Sequence, residues 1–381
     1  MMKDLYKKIM VFLFAGILIA LPVLTFINLP SDPRPFSENE NRTLSAFPKA
    51  SLETYLDESF MKGFEDWFAD RFFGREGWIS FKNKAERLIG KTDINGIFTG
   101  GDRMIQIWKG FDEEFIGKNL NAINKFTDKN PNLPVYFLLA PTSQEIYSSL
   151  MPSSAPIGSQ TELYEYCKNN LTGAEAINVI DTLKEHSDEY IYYRTDHHWT
   201  TLGAYYGYCR AAEQLGFQPL PLSEFDIEEA SDDFHGTLFS KTLDYGVTAD
   251  IMHYYHPKNE DLKLTLEIYD GAETKEYDTF YFREYLEVKD KYSSFMGPNS
   301  PMMTITTNND GPSLLIFKDS YAHELIPFLA NHYSKITVFD MRLVNVGISR
   351  FVDISEYDSA LILYNAITFS EDSGIRRINM K

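Results

Sequence analysis

Residues Tyr190 to Leu215, YIYYRTDHHWTTLGAYYGYCRAAEQL, decide the fold. Tyr190, Ile191, Tyr192 and Tyr193 form a short aromatic and β-branched run bounded by charge, which reads as a buried strand. The period then changes. Leu202, Tyr205, Cys209, Ala212 and Leu215 recur at spacings of three and four, Thr200 or Thr201 suits an N-cap, and Gly216 stands where a C′ glycine belongs. These features predict an amphipathic helix. The polar cluster Asp196-His197-His198-Trp199 therefore falls in a turn between strand and helix, where open α/β sheets place their chemistry. A carboxylate beside an imidazole fixes its tautomer and steadies the imidazolium, so the pair suits a general base. The competing role is structural, with Asp196 capping the helix and Trp199 filling the core.

The 381 residues are 44% apolar and 15% aromatic, enough to bury a large core. Lys and Arg number 36 against 55 Asp and Glu, a net charge of −19, which argues against nucleic acid as a partner. Lys3, Lys7 and Lys8 precede an uncharged run from Ile9 to Leu29, about 21 residues and long enough to span a bilayer. With Asp32, Glu38 and Glu40 after it, the charge balance keeps the N-terminus in the cytoplasm and places the rest outside. The run exceeds a usual signal-peptide core and no A-x-A site follows, so an uncleaved anchor is expected rather than a cleaved signal. Residues 1–29 would be cytoplasmic tip and transmembrane anchor, 30–50 a Pro-, Ser- and Asn-rich linker, and 51–381 the extracytoplasmic domain. The two cysteines, Cys167 and Cys209, make no disulfide framework; they either pair or stay as thiols.

Residues 51–89 carry an apolar helical face, a glycine-turn hairpin follows over 94–105, and Phe115–Phe126 is again helical. Val135–Ala140 is uniformly apolar, as a parallel strand covered on both faces would be. Ser313–Phe317, Ile336–Phe339 and Ala360–Tyr364 repeat the pattern, so with Tyr190–Tyr193 they predict a parallel sheet flanked by helices. Residues 225–310 alternate instead and read as an antiparallel insertion.

Ser313–Phe317 leads into Lys318-Asp319-Ser320-Tyr321-Ala322-His323 with helical sequence beyond. A serine at a strand-to-helix turn presents its hydroxyl at the sheet edge and its own N–H toward a developing oxyanion. Together with Asp196 and His198 it supplies the three roles of an acyl-transfer triad. Asp196, His197 and His198 are also metal-ligand types, but successive residues of an extended stretch diverge, so no shared ion is expected and His197 should point away from His198.

The cluster Asp196–Trp199, the upstream ENRTLSAFP (Glu40 to Pro48), FEDWFADRFFGREGW (Phe64 to Trp78), NGIF (Asn95 to Phe98) and FKDSYAH (Phe317 to His323) together resemble the bacterial DHHW family. That family is similar to the SGNH-hydrolase-like O-acetyltransferases that acetylate alginate outside the cytoplasmic membrane. The resemblance runs from about residue 38 to 365 and implies an SGNH-like α/β fold. Carried over by position, Asp196 is the orienter, His198 the base and Ser320 the nucleophile. The family's serine motif is usually Gly-Asp-Ser, and here Lys318 takes the glycine place. Asn365, just past the last strand, is the candidate oxyanion donor, against a role as a turn residue. With the N-terminal anchor, the resemblance points to a membrane-anchored O-acetyltransferase acting on a cell-surface or secreted polysaccharide; no cofactor or metal is expected. It also implies a polytopic membrane-bound O-acyltransferase as acyl donor. A carbohydrate acetyl esterase and a non-catalytic polysaccharide-binding scaffold are the alternatives, the latter with Tyr192, Tyr193, Trp199, Tyr205, Tyr206 and Tyr321 stacking on sugar rings.

Overall fold

The computed structural model describes residues 2–29 and 35–380, so residues 30–34 of the expected linker lie outside the described residues. Two compact units form, Met1–Asn95 with Phe239–Gly246, and Gly96–Leu238 with Val247–Lys381.

In the first unit, helix α1 (Met2–Asn28) contains Leu5–Asn28, a segment long and apolar enough to cross a membrane. The helical stretch expected over 51–89 is three helices, α2 (Leu52–Leu56), α3 (Ser59–Asp70) and α4 (Arg75–Leu88). It breaks at Glu58 (φ 63°) and Gly74 (φ 67°), whose left-handed conformations a continuous helix cannot hold. The Glu40–Arg42 segment is tied to these helices by Arg75–Glu40 at 2.9 Å and Arg42–Asp70 at 2.5 Å.

The second unit is built on one eight-stranded sheet, with strands β1 (Val135–Ala140), β2 (Ala174–Ile177), β3 (Leu264–Tyr269), β4 (Thr274–Tyr277), β5 (Met302–Thr307), β6 (Ser313–Lys318), β7 (Lys335–Phe339) and β8 (Ser359–Asn365). They lie in the order β4-β3-β5-β7-β6-β8-β1-β2. The five from β7 to β2 run parallel, and the three from the 225–310 segment extend the same sheet in antiparallel register. Successive residues of each central strand feed different cores. Leu314 and Ile316 enter one, Leu315 and Phe317 the other, which is why the parallel strands are apolar without alternation.

Tyr190–Tyr193 is not a strand of this sheet; β2 is the edge strand beside β1. The segment folds back on itself instead. Tyr192 bridges Trp199, the Thr200 N–H donates to the Ile191 carbonyl at 3.0 Å, and the carboxylate of Asp250 accepts the N–H groups of Arg194 and Thr195 at 2.6 and 2.8 Å. Its backbone is satisfied without a ladder, so the aromatic run signals burial and not a strand.

The following helix, α6, comes after α5 (Glu113–Lys129) and spans Thr201–Leu215; Thr200 accepts its cap bond from Gly203 N–H, and Gly216 ends it at φ 82°. Its buried face is rotated from the expected one toward Gly203, Ala204, Gly207, Tyr208 and Ala211, while Leu202, Cys209 and Leu215 are half-buried. Glycine lets the loop approach: a Cβ at Gly203 would collide with the Ile191 carbonyl oxygen, and one at Gly207 would meet the Trp199 ring at 3.2 Å. Cys167 and Cys209 are both free thiols. Gly203→Ala is therefore expected to lower stability by roughly 1–3 kcal/mol, read from chemical denaturation midpoints; an unchanged midpoint would show that the loop is not held against α6.

Candidate active site

Strand β6 ends at Lys318, and Ser320 follows before helix α7 (Ala322–Leu329). The loop between Tyr192 and Trp199 brings Asp196 and His198 to the same place. The His198 Nε2 is 2.7 Å from Ser320 Oγ, and its Nδ1 is 2.5 Å from Asp196 Oδ1, across 122 residues of sequence. Ser320 retains 9% of its accessible surface, while Asp196 retains 1% and His198 4%, so of the three the serine is the most open to solvent.

Every lone-pair direction of Asp196 is used. Oδ1 accepts from both the backbone N–H (3.0 Å) and Nδ1–H of His198; Oδ2 accepts from the backbone N–H (2.8 Å) and hydroxyl (3.0 Å) of Thr237. Gly236 makes this approach feasible, since a Cβ there would collide with the Asp196 carboxylate. Burial alone would raise the Asp196 carboxyl, but the two histidines and their hydrogen bonds outweigh it and hold it well below the usual carboxylate range. An ionised Asp196 fixes the proton of neutral His198 on Nδ1 and leaves Nε2 to accept from Ser320. The His198 ring is clamped: Tyr292 stacks on it at 3.7 Å and 4°, and the Tyr292 hydroxyl donates to the Ser320 carbonyl at 3.0 Å.

Lys318, in the glycine place, is the last strand residue, and its buried ammonium reaches His323 Nε2 at 2.7 Å, Asn299 Oδ1 at 3.2 Å and Asp340 Oδ2 at 3.4 Å. Asp319 accepts from the backbone N–H of Tyr321 at 2.9 Å and from the Asn365 N–H and side-chain amide at 2.8 and 2.7 Å. Between them, the backbone N–H of Ser320 donates to no acceptor among the described residues. It is available to an oxyanion.

Asn365 sits at the same sheet edge, but its two amide hydrogens go to Asp319 Oδ2 and Thr368 Oγ1, both at 2.7 Å, and its oxygen caps the following helix. The side chain shapes the turn behind Ser320 and has no hydrogen left for an oxyanion. His197 also departs from expectation: its ring lies 3.8 Å from that of His198 and its Nδ1 is 2.7 Å from Thr237 Oγ1. The residues form a bent turn rather than an extended stretch, so the alternation rule does not apply. Asp196, His197 and His198 thus offer ligand atoms within 4.8 Å of one another, although both His198 nitrogens are already engaged. Tyr192, Tyr193, Trp199 and Tyr321 are fully buried, Tyr205 nearly so, and Trp199 Nε1–H donates to the Tyr321 carbonyl at 3.0 Å. They are core and offer no stacking surface. Sequence reasoning missed Thr237, Gly236 and Tyr292, which come from the 225–310 segment and meet Asp196, His198 and Ser320 only through the fold.

The family model described as DHHW protein matches residues 40–115 and 134–339, and the chain belongs to that family. Among solved structures it is similar to a DHHW family protein from Eubacterium siraeum, at 24% identity, covering 76% of this chain and 96% of that one with a TM-score of 0.66. PatB1 of Bacillus cereus, solved with a sulfonyl adduct, is similar at 18% identity, 75% and 98% coverage and a TM-score of 0.64. A comparison with curated proteins finds no match.

Burial, with His197 adding to it and Asp196 opposing, pushes the His198 imidazole down to about 4. If His198 acts as the base in neutral form, the acid limb of a kcat/KM profile should fall near pH 4, and a limb at the unperturbed value near 6.5 would count against the assignment. The stability consequence has a fixed sign. The unfolded chain binds this proton first, so the contribution is full above about pH 6.5 and is lost as pH falls toward 4, which denaturation midpoints across that window would register.

Proposed function

We propose that this DHHW-family chain is a membrane-anchored, extracytoplasmic O-acetyltransferase whose acceptor is a cell-surface or secreted polysaccharide. The observation that carries the reading is the continuous line from Asp196 Oδ1 through the His198 ring to Ser320 Oγ, with the Ser320 N–H beside it unclaimed by any described residue. In the proposed reaction Ser320 Oγ attacks the acyl carbonyl carbon and its proton passes to His198 Nε2. The tetrahedral oxyanion meets the Ser320 N–H. On collapse, the bond to the donor's alcohol breaks and His198 returns the proton to that leaving oxygen, giving an acetyl-serine. An acceptor sugar hydroxyl then attacks, gives its proton to His198, and leaves with the acetyl group as Ser320 recovers its proton. Asp196 stays ionised throughout.

Helix α1 supports placement at a membrane, and a site outside it needs an acyl group relayed across the bilayer; a polytopic membrane-bound O-acyltransferase is the proposed donor. The buried aromatics speak against a scaffold that stacks on sugars. The triad by itself does not choose water or sugar, so the acceptor experiment separates transfer from ester hydrolysis.

A sulfonyl fluoride is the apt probe, given the adduct captured on the similarly folded PatB1. Phenylmethylsulfonyl fluoride should add one sulfonyl mass to the chain and map to Ser320, and Ser320→Ala should take no label. The same variant should lose p-nitrophenyl acetate turnover by roughly 10⁴-fold or more, to background. Equal turnover in variant and parent would end the proposal. Supplying acetylated donor and oligosaccharide together should yield acetylated oligosaccharide by mass spectrometry; free acetate as the sole product would make the protein an esterase.

A further inference from the structure

Helix α4 carries an apolar stripe that no other described residue of its unit covers. Trp78, Phe81, Leu88 and the capping Ile89 are 45%, 66%, 88% and 84% exposed. At 3.6 residues per turn they fall in an arc of about 100°. Lys82 and Lys84, both exposed, flank that arc on its two sides, and the opposite face is fixed to its unit by the Asn83 amide donating to the Thr242 carbonyl. An aromatic-rich stripe bracketed by lysines is the pattern of a helix lying in a lipid–water interface, with the lysine stems following the apolar surface and their ammonium groups reaching headgroup phosphates.

Position selects the lipid. Phe26, near the end of α1, packs on Phe68 of α3 with ring centroids 5.7 Å apart, and the Phe73 N–H donates to Thr25 Oγ1 at 3.0 Å. The Trp78 Nε1–H in turn donates to the Phe73 carbonyl at 3.2 Å. The first residue of the stripe is thus two hydrogen bonds from the end of the helix that would span the bilayer. The stripe therefore starts beside the C-terminal end of α1 and is exposed at each of its four residues. We propose that α4 is a membrane-interface helix, seated on the outer leaflet through Trp78, Phe81, Leu88 and Ile89, and that Lys82 and Lys84 bind anionic headgroups beside it. This rests on the proposed function's placement of α1 in the membrane. The occupant is a lipid surface, not a second protein.

The test uses the full chain reconstituted alone in vesicles of phosphatidylcholine and phosphatidylglycerol. Phe81→Cys, Leu88→Cys and, as control, Glu260→Cys are labelled with an environment-sensitive fluorophore, and the unsubstituted chain sets the background from Cys167 and Cys209. Doxyl-labelled phosphatidylcholine should quench the probes at 81 and 88 several-fold, with blue-shifted emission, and leave the probe at 260 unaffected. Replacing phosphatidylglycerol with phosphatidylcholine should weaken that quenching, and Lys82→Gln with Lys84→Gln should abolish the difference between the two lipids. Unquenched probes at 81 and 88 in a chain that resists carbonate extraction would overturn the proposal while leaving the anchor in place. Quenched probes in a chain that carbonate releases would do the reverse. Disulfide coupling of Leu88→Cys between copies, without quenching, would assign the stripe to a second copy and overturn it as well.

Discussion

The buried carboxylate of Asp196 is the constraint on which the site depends. A charge removed from water is tolerated only when its lone pairs are satisfied, and here four donors from two segments converge on two oxygens. Two come from His198 itself, which sets the ring's tautomer and its direction toward Ser320. Two come from Thr237, which pins the segment after the Phe225–Phe234 strand to the loop before α6. The carboxylate therefore works as a staple as well as an electrostatic partner, and Gly236 is the residue that lets the second segment come close enough.

The sheet supplies the other half of the geometry. Pairing of Phe317 with Phe339 and with Ile362 aligns the ends of β6, β7 and β8, so the segments leaving these strands emerge at one edge. Lys318 and Asp319, next to Ser320 in the chain, enter two separate polar clusters, one with His323, Asn299 and Asp340, the other with Asn365. Each side chain anchors the turn from one side. A lysine can stand where a glycine is usual because it is the last residue of the strand, with its side chain buried among partners, and not a residue of the tight turn.

The parts of the fold visible in the sequence were those governed by local pattern. Uniform apolar runs marked β1, β6, β7 and β8 because parallel strands are covered on both faces, and Thr200 with Gly216 bounded α6 because caps are chosen by adjacent residues. Asp196, His198 and Ser320 were legible because a turn between elements concentrates polar residues that a core rejects. Tyr190–Tyr193 misled because aromatic content reports burial, and burial here comes without a ladder. Strand β2, with Ala174, Glu175, Ala176 and Ile177, is too short and polar to stand out. Thr237 and Tyr292 carry no local mark at all; their contacts with Asp196, His198 and Ser320 are set by how the 225–310 segment returns over these residues.

The second histidine shows how a bent turn changes what neighbouring residues can share. With the Thr237 hydroxyl donating to Asp196 Oδ2, its oxygen is left as acceptor for His197 Nδ1–H, so donors run from His197 through Thr237 on one side and from His198 on the other, and converge on the Asp196 carboxylate. The Tyr321 hydroxyl closes the far side by donating to the His197 carbonyl. His197 thus helps hold the carboxylate through Thr237 while its ring packs against that of His198, and a positive charge on it would oppose a second on His198. The two imidazoles are therefore coupled by packing, by charge and by a shared carboxylate, although only His198 reaches the serine.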